Sequence, residues 1–204
     1  MLTKKATAGI ILGAGMSKRF GQPKQMLKFK GRYLIERVLD TALKSNLNSI
    51  VLVLGKDYES ILQALANKLC NPEIEIVINH EYEKGQSASL KAGLLKAKKR
   101  FSSVMFLMAD QPMLNSETIN TLLNRFSKSQ KHICVPVCQG NKRSPTIFSS
   151  KFYERLFDIQ GDIGARNIII SNPEEVLFVD INTPPCFFDI DTKEDMKKLE
   201  RCCS

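Results

Sequence analysis

Two glycines, Gly13 and Gly15, end an apolar run in the stretch GIILGAGMSKRFGQPKQML, and Ser17, Lys18, Arg19 and Lys24 follow them. Glycines placed this way let the backbone turn sharply and approach a ligand closely, so that consecutive N–H groups can point at an anion. The hydroxyl and the three cationic side chains add donors and positive charge, and a triphosphate is the natural occupant. The spacing excludes the two best-known phosphate loops: GxGxxG would need glycine where Lys18 stands, and GxxxxGK[ST] finds no match. The plain alternative is a solvent-facing turn with incidental basic residues.

A second chemical element is Asp110, in FLMADQPML, directly after an apolar run. A carboxylate there is placed to bind a hard cation, and Mg²⁺ beside a triphosphate usually takes only one or two protein carboxylates. An ordinary turn residue before Pro112 is the alternative. A third is FFDIDTKEDM, where an extended backbone would send Asp189 and Asp191 to one side. Asp191 or Thr192 could instead cap the terminal helix, with Glu194 and Asp195 in its first turn.

These residues need elements that bring them to one place. AGIIL (8–12), SIVLVL (49–54), IEIVI (74–78), VMFLM (104–108) and HICVPV (132–137) have the length and apolarity of strands. Most are unbroken rather than alternating, which predicts a sheet covered on both faces. Between them Tyr33 to Asn46, Asp57 to Leu69, Ser87 to Lys99 and Ser116 to Phe126 carry helical spacing, with Asp57 and Ser116 where N-caps would stand. The alternation predicts a three-layer α/β/α sandwich with a mainly parallel sheet. The last quarter is less regular and reads as extra strands and short helices over the sheet edge. In such a sheet ligands bind outside the carboxyl ends of the strands. That rim would hold both the loop 13–24 and Asp110.

Composition narrows the class. A chain of 204 residues with 43% hydrophobic content suits one globular domain. No apolar run reaches the roughly 18 residues of a membrane span, and the N-terminal apolar segment is too short for a signal peptide. A cytoplasmic protein without a membrane partner is expected. The six cysteines form no CxxC pair and have no histidine near enough to complete a zinc site, so free thiols are expected. The net charge of +9 suits an anionic substrate. Its densest run, KAKKR at 96–100, complements a helix end and has few aromatic neighbours, which argues against nucleic acid.

In this order, LGAGMSKRFGQPKQML, GQSASLKAGL, MADQP, LFDIQGDIGARNII and DIDTKEDM are similar to the motifs of the MobA-like nucleotidyltransferases. The match is closest to the molybdenum cofactor cytidylyltransferases, accessory proteins of molybdenum hydroxylases, chiefly through GDIGAR. The resemblance implies a Rossmann-like domain of the nucleotide-diphospho-sugar transferase type, whose first half (about 1–112) binds nucleotide and whose second (about 113–204) binds the acceptor. Carried over by position, Leu12, Gly13, Ala14 and Gly15 would wrap the triphosphate, with Arg19 and Lys24 on its phosphates. Gly85, Gln86, Ser87 and Ser89 would border the base and ribose. Asp110 would bind Mg²⁺, with Asp189 or Asp191 as the second acidic position. Gly161, Asp162 and Arg166 would lie on the acceptor side, where Arg166 could meet an anionic pterin; a helix start whose arginine pairs locally is the alternative.

Cytosine users in this family show alanine before the second glycine where guanine users show glycine, and Ala14 fits the former. Two departures stand out: Gly13 replaces the usual alanine or threonine, and NKRSPTIF lacks the usual Gly-Asn/His-Pro form. The implied reaction is CTP plus a molybdopterin-type acceptor giving the cytosine dinucleotide and pyrophosphate, with the product passed to a molybdenum hydroxylase. The rival readings are a GTP-using molybdopterin guanylyltransferase, a CTP-dependent sugar- or polyol-phosphate cytidylyltransferase, and a non-enzymatic cofactor carrier.

Overall fold

The computed structural model describes residues 6–15, 23–162 and 164–202. Ser17, Lys18, Arg19 and Cys203 lie outside the described residues. In the order of the chain, β1 (Thr7–Gly13) is followed by a short hairpin, β2 (Lys28–Phe29) and β3 (Arg32–Tyr33), and then α1 (Leu34–Leu43). Next come β4 (Ser49–Leu54), α2 (Tyr58–Leu69), β5 (Ile74–Ile78), α3 (Gln86–Ala97), β6 (Ser103–Met108) and α4 (Ser116–Ser127). The remainder is β7 (Ile133–Cys138), β8 (Asn141–Lys142), β9 (Thr146–Ser149), α5 (Tyr153–Asp158), α6 (Arg166–Ile170), β10 (Val176–Asp180) and α7 (Lys193–Cys202).

The main sheet runs β10-β7-β9-β6-β1-β4-β5, with β8 paired to β7. β5, β4, β1 and β6 are parallel; β9 runs antiparallel to both β6 and β7. Every residue of β1 and β4 is buried, which is why those sequences are unbroken apolar runs. One face is covered by α3, α5 and α6 through Leu90, Leu94, Leu156 and Ile168. The other is covered by α1, α2 and α4 through Ile35, Leu39, Ile61, Leu65, Ile119 and Leu122. The three-layer sandwich read from the sequence is therefore present, and β9 is the reversal that makes the sheet mixed.

Two local details differ from the reading of the sequence. The N-cap of α4 is Asn115 and not Ser116: the Asn115 side chain accepts from the Thr118 N–H at 2.8 Å. Pro136, inside β7, is tolerated because its carbonyl faces β8, where it accepts from Arg143 N at 2.9 Å. Its missing N–H faces the same side, beyond the point where β9 has stopped pairing.

The chain leaves β1 for β4 on one side and reaches β6 on the other, so the crevice between the carboxyl ends of β1 and β6 is a topological switch point. The helix beside it is held close to the sheet by Gly93, where an added Cβ would lie 2.4 Å from Ile10 Cγ2 and 2.9 Å from Val53 Cγ2. This packing sets the N-terminus of α3 over the rim.

Candidate active site

The turn after β1 is fixed from within. Gln25, 4% exposed, donates its amide to the carbonyls of Gly13 (3.0 Å) and Gly15 (3.2 Å). Ala14 sits against Gly55, where an added Cβ would come within 3.0 Å of the Ala14 methyl. Across the switch point, Ala109 N donates to Leu12 O at 3.3 Å, binding the two strand ends together. The resulting cleft is lined on one wall by Leu12, Ala14, Gly15 and Lys24 and on the other by Tyr82, Gly85, Gln86 and Ser89, with Asp110 at its end.

Lys24 spans three segments of chain. Its ammonium donates to Asp110 Oδ2 at 2.7 Å and to Asp191 Oδ1 at 2.9 Å. Burial works against the charge, but the two carboxylates outweigh it and raise the Lys24 pKa. Lys24 and Asp110 keep only 14% and 15% of their side chains exposed, whereas Asp191 keeps 58%, so the bridge runs from the inner cleft to its mouth. Ile190 explains the reach of the DID segment. It is fully buried with Phe29, Leu34 and Leu199, and its N–H donates to Asp110 O at 3.0 Å. With Ile190 in the core, Asp189 and Asp191 both turn to the rim. The cap of α7 is Thr192, which exchanges hydrogen bonds with Asp195, leaving Asp191 to Lys24.

Asp189 meets a different partner, accepting from Gln111 Nε2 at 2.9 Å. The residue as a whole is exposed, yet its carboxyl is desolvated where it meets Gln111 and faces the Asp110 charge. Its pKa is pushed up to about 6. Gln111 is 2% exposed, and only its place on the rim after Asp110 marks it in the sequence.

The loop 161–165 reaches α3 from the far half of the chain. Gly85, at φ +93°, stands at the N-cap of α3 and has no side chain to cap it. Asp162 Oδ1 accepts from Gln86 N at 2.9 Å and Gly161 O from Ser87 N at 3.0 Å, satisfying two of the helix's free donors. Asp162 therefore lines the cleft rather than the second cavity, and the Gly161 carbonyl serves α3. Ser87 and Gly13 are buried behind the cleft and are not among its lining residues. Ser89 lines it while accepting from Asn79 Nδ2 at 2.9 Å.

Beyond Gln111 lies a second, larger recess of about 750 Å³. Arg166 lines it, with Gln111, Asp189 and Arg143, and Gln86 belongs to both cavities. Among the described residues, no group of three or more His, Cys, Asp or Glu side chains is arranged to hold a metal ion. No helix among them is long and apolar enough to cross a membrane. Cys70, Cys134, Cys138 and Cys186 are free thiols.

The model of the MobA-like NTP transferase domain matches residues 9–176, spanning β1 to the start of β10. The chain belongs to that family. As a MobA-like protein it is a nucleotidyltransferase. It is similar to nicotine blue oxidoreductase of Paenarthrobacter nicotinovorans, 28% identical over 94% of this chain and 95% of that protein. It is also similar to a probable molybdenum cofactor guanylyltransferase of Thermococcus gammatolerans, 28% identical over 95% of this chain and 98% of that one. In fold it matches Rv0371c of Mycobacterium tuberculosis, with a TM-score of 0.84 at 24% identity over 98% of this chain and all of that one.

Proposed function

We propose that the protein transfers CMP from CTP to a molybdopterin-type acceptor in the cytoplasm, and that a molybdenum hydroxylase receives the product. The observation that carries this reading is the convergence of Lys24, Asp110 and Asp191 at the seam where a cleft suited to a nucleotide meets a recess suited to an acceptor. An oxygen of the acceptor's terminal phosphate forms a bond to the α-phosphorus of CTP. The bond from that phosphorus to the bridging oxygen breaks, and pyrophosphate leaves with the electron pair. A phosphate oxygen is already ionised near neutral pH, so no general base is assigned. Catalysis then rests on positioning and on neutralising charge. Lys24 reaches the phosphates of the nucleotide, with Arg19 in the same loop, and Gln86 stands on both cavities where the two reactants meet.

The residues fit a divalent cation. Asp110 Oδ1 is buried and has no hydrogen-bond partner, which suits a ligand atom awaiting a cation. Asp110 with Asp191 or Asp189 would hold Mg²⁺. When bound there it would supply positive charge against the negative charge developing on the departing pyrophosphate.

The choice of CTP rests on Ala14, which lines the cleft with its methyl packed against Gly55. A single methyl is worth only about 1–3 kcal/mol of discrimination, so the preference for a pyrimidine is expected to be graded. Titration calorimetry with CTP and with GTP, each with and without Mg²⁺, tests the reading. Mg²⁺-dependent binding that favours CTP supports it. A preference for GTP overturns the base assignment in favour of guanylyl transfer.

A further inference from the structure

Among the described residues three buried side-chain polar atoms have no hydrogen-bond partner: Asp110 Oδ1, Gln111 Oε1 and Arg143 Nε. All three belong to residues that line the cleft or the adjoining recess. Asp110 is accounted for by the proposed cation, and the other two point to a ligand of the recess. Leaving a buried polar group unpaired is costly, and native structures seldom keep such groups without a use.

Arg143 is built into the rim. It follows β8, and its N–H donates to Pro136 O at 2.9 Å, which ties the residue to β7 just before β9 begins. β7 runs parallel to β6, being antiparallel to β9, so its carboxyl end lies on the same rim as Asp110. Arg166 enters the same recess from the start of α6. Among the described residues Arg143 and Arg166 take part in no ion pair, unlike Arg100 and Lys96, which pair with Glu75. Their neighbour Lys142 instead lies 5.2 Å over the ring of Phe178.

We infer that Arg143, with Arg166, is the anchor for an anionic group of the acceptor, and that Gln111 Oε1 accepts a hydrogen bond from the same molecule. The inference rests on the nucleotidyl-transfer reading and deepens it. The ligand is a phosphomonoester that also carries an N–H or O–H donor. An arginine suits the task because its planar fork meets a phosphate bidentately, as lysine does not.

The test uses inorganic phosphate as the probe, titrated into the whole protein both free and saturated with CTP and Mg²⁺. Arg143→Ala and Arg166→Ala are each expected to weaken phosphate binding about 10-fold or more, the loss of one charge-assisted hydrogen bond. Arg143→Lys is expected to recover part of it. Arg143→Met keeps the aliphatic stem and serves if the alanine variant folds poorly. Phosphate binding in the wild type that survives CTP saturation and falls in the Arg143 variants supports the inference. Wild-type affinity in a folded Arg143→Met protein, or no phosphate binding by the wild type, overturns it. Failure of CTP to bind while phosphate binding still depends on Arg143 would count against the nucleotide assignment and leave the anion anchor standing.

Discussion

Lys24→Gln is the perturbation that tests the electrostatics of the cleft most directly. Its ammonium lies between two carboxylates, at 2.7 Å from Asp110 and 2.9 Å from Asp191, where a divalent cation would have to sit to use both. A metal entering the nucleotide-free protein must displace that ammonium from two charge-assisted hydrogen bonds, and even one is worth about 1.5–3 kcal/mol. The glutamine variant removes the competitor. Mn²⁺ should then bind the nucleotide-free protein about 10-fold or more tightly than the wild type, read as loss of the free-ion signal in electron paramagnetic resonance. CTP should bind about 10-fold or more weakly, because a phosphate contact is lost. Without metal the variant should also be less stable. Removing one partner of a buried pair costs about 3–5 kcal/mol, and the exposure of Asp191 places the loss at the lower end. A loss of about 3 kcal/mol corresponds to roughly 6–12 °C in Tm for a chain of this size. Mn²⁺ should restore part of it. Unchanged or weaker Mn²⁺ binding in a folded Lys24→Gln protein would refute the view that lysine and metal compete for one place.

Other consequences can be checked separately. Asp110→Ala should lower pyrophosphate release by about 10²–10³ or more while leaving a cooperative unfolding transition; full turnover would remove Asp110 from the metal role. Gln25→Leu removes both bonds that pin the Gly13 and Gly15 carbonyls, at a net cost of about 1–3 kcal/mol, and should raise KM for the nucleotide more than it lowers kcat. Gly93→Ala places a methyl 2.4 Å from Ile10 Cγ2 and should cost about 1–3 kcal/mol by overpacking, measured by chemical denaturation. Asp189 has a folded pKa of about 6 against an ordinary 3.8, so the folded state holds its proton more tightly, and wild-type stability falls at this site as pH rises from about 4 to 6. Asp189→Asn should therefore gain stability over the wild type above pH 6, and the gain should vanish below about pH 4; an equal difference at both pH values would show that the carboxyl is not perturbed.

The strands and the loops that follow them were legible because burial on both faces leaves an unmistakable apolar run, and whatever polar residue ends the run must stand on the rim. Gly15 and Asp110 were placed on the rim that way and the DID pair by its alternation about Ile190, whereas Gly13 is buried and does not line the cleft. Asn115 was missed as a cap because two competent residues, Asn115 and Ser116, lie side by side, and only the register of the first turn decides which side chain reaches Thr118. Gln25, Gln111 and Arg143 were missed for another reason. Each acquires its place from a contact that pattern cannot express: Gln25 from the shape of the turn it staples, Gln111 from Asp189 across 78 positions, Arg143 from the reversal of β9.

The cap of α3 shows how far such a contact can matter. A helix that borders a nucleotide needs its first N–H groups either paired or offered to the ligand. Here Gly85 removes the local side chain, and an added Cβ would come within 2.5 Å of Asp162 Oδ1 and 2.8 Å of the Gly161 carbonyl carbon. The glycine is thus required by the approach of a loop that precedes Arg166 by only a few residues. One wall of the cleft is completed by Asp162, from the half of the chain that also supplies Arg143 and Arg166 to the second recess. The cleft therefore depends on contacts between segments about 76 positions apart, Gln86 with Asp162.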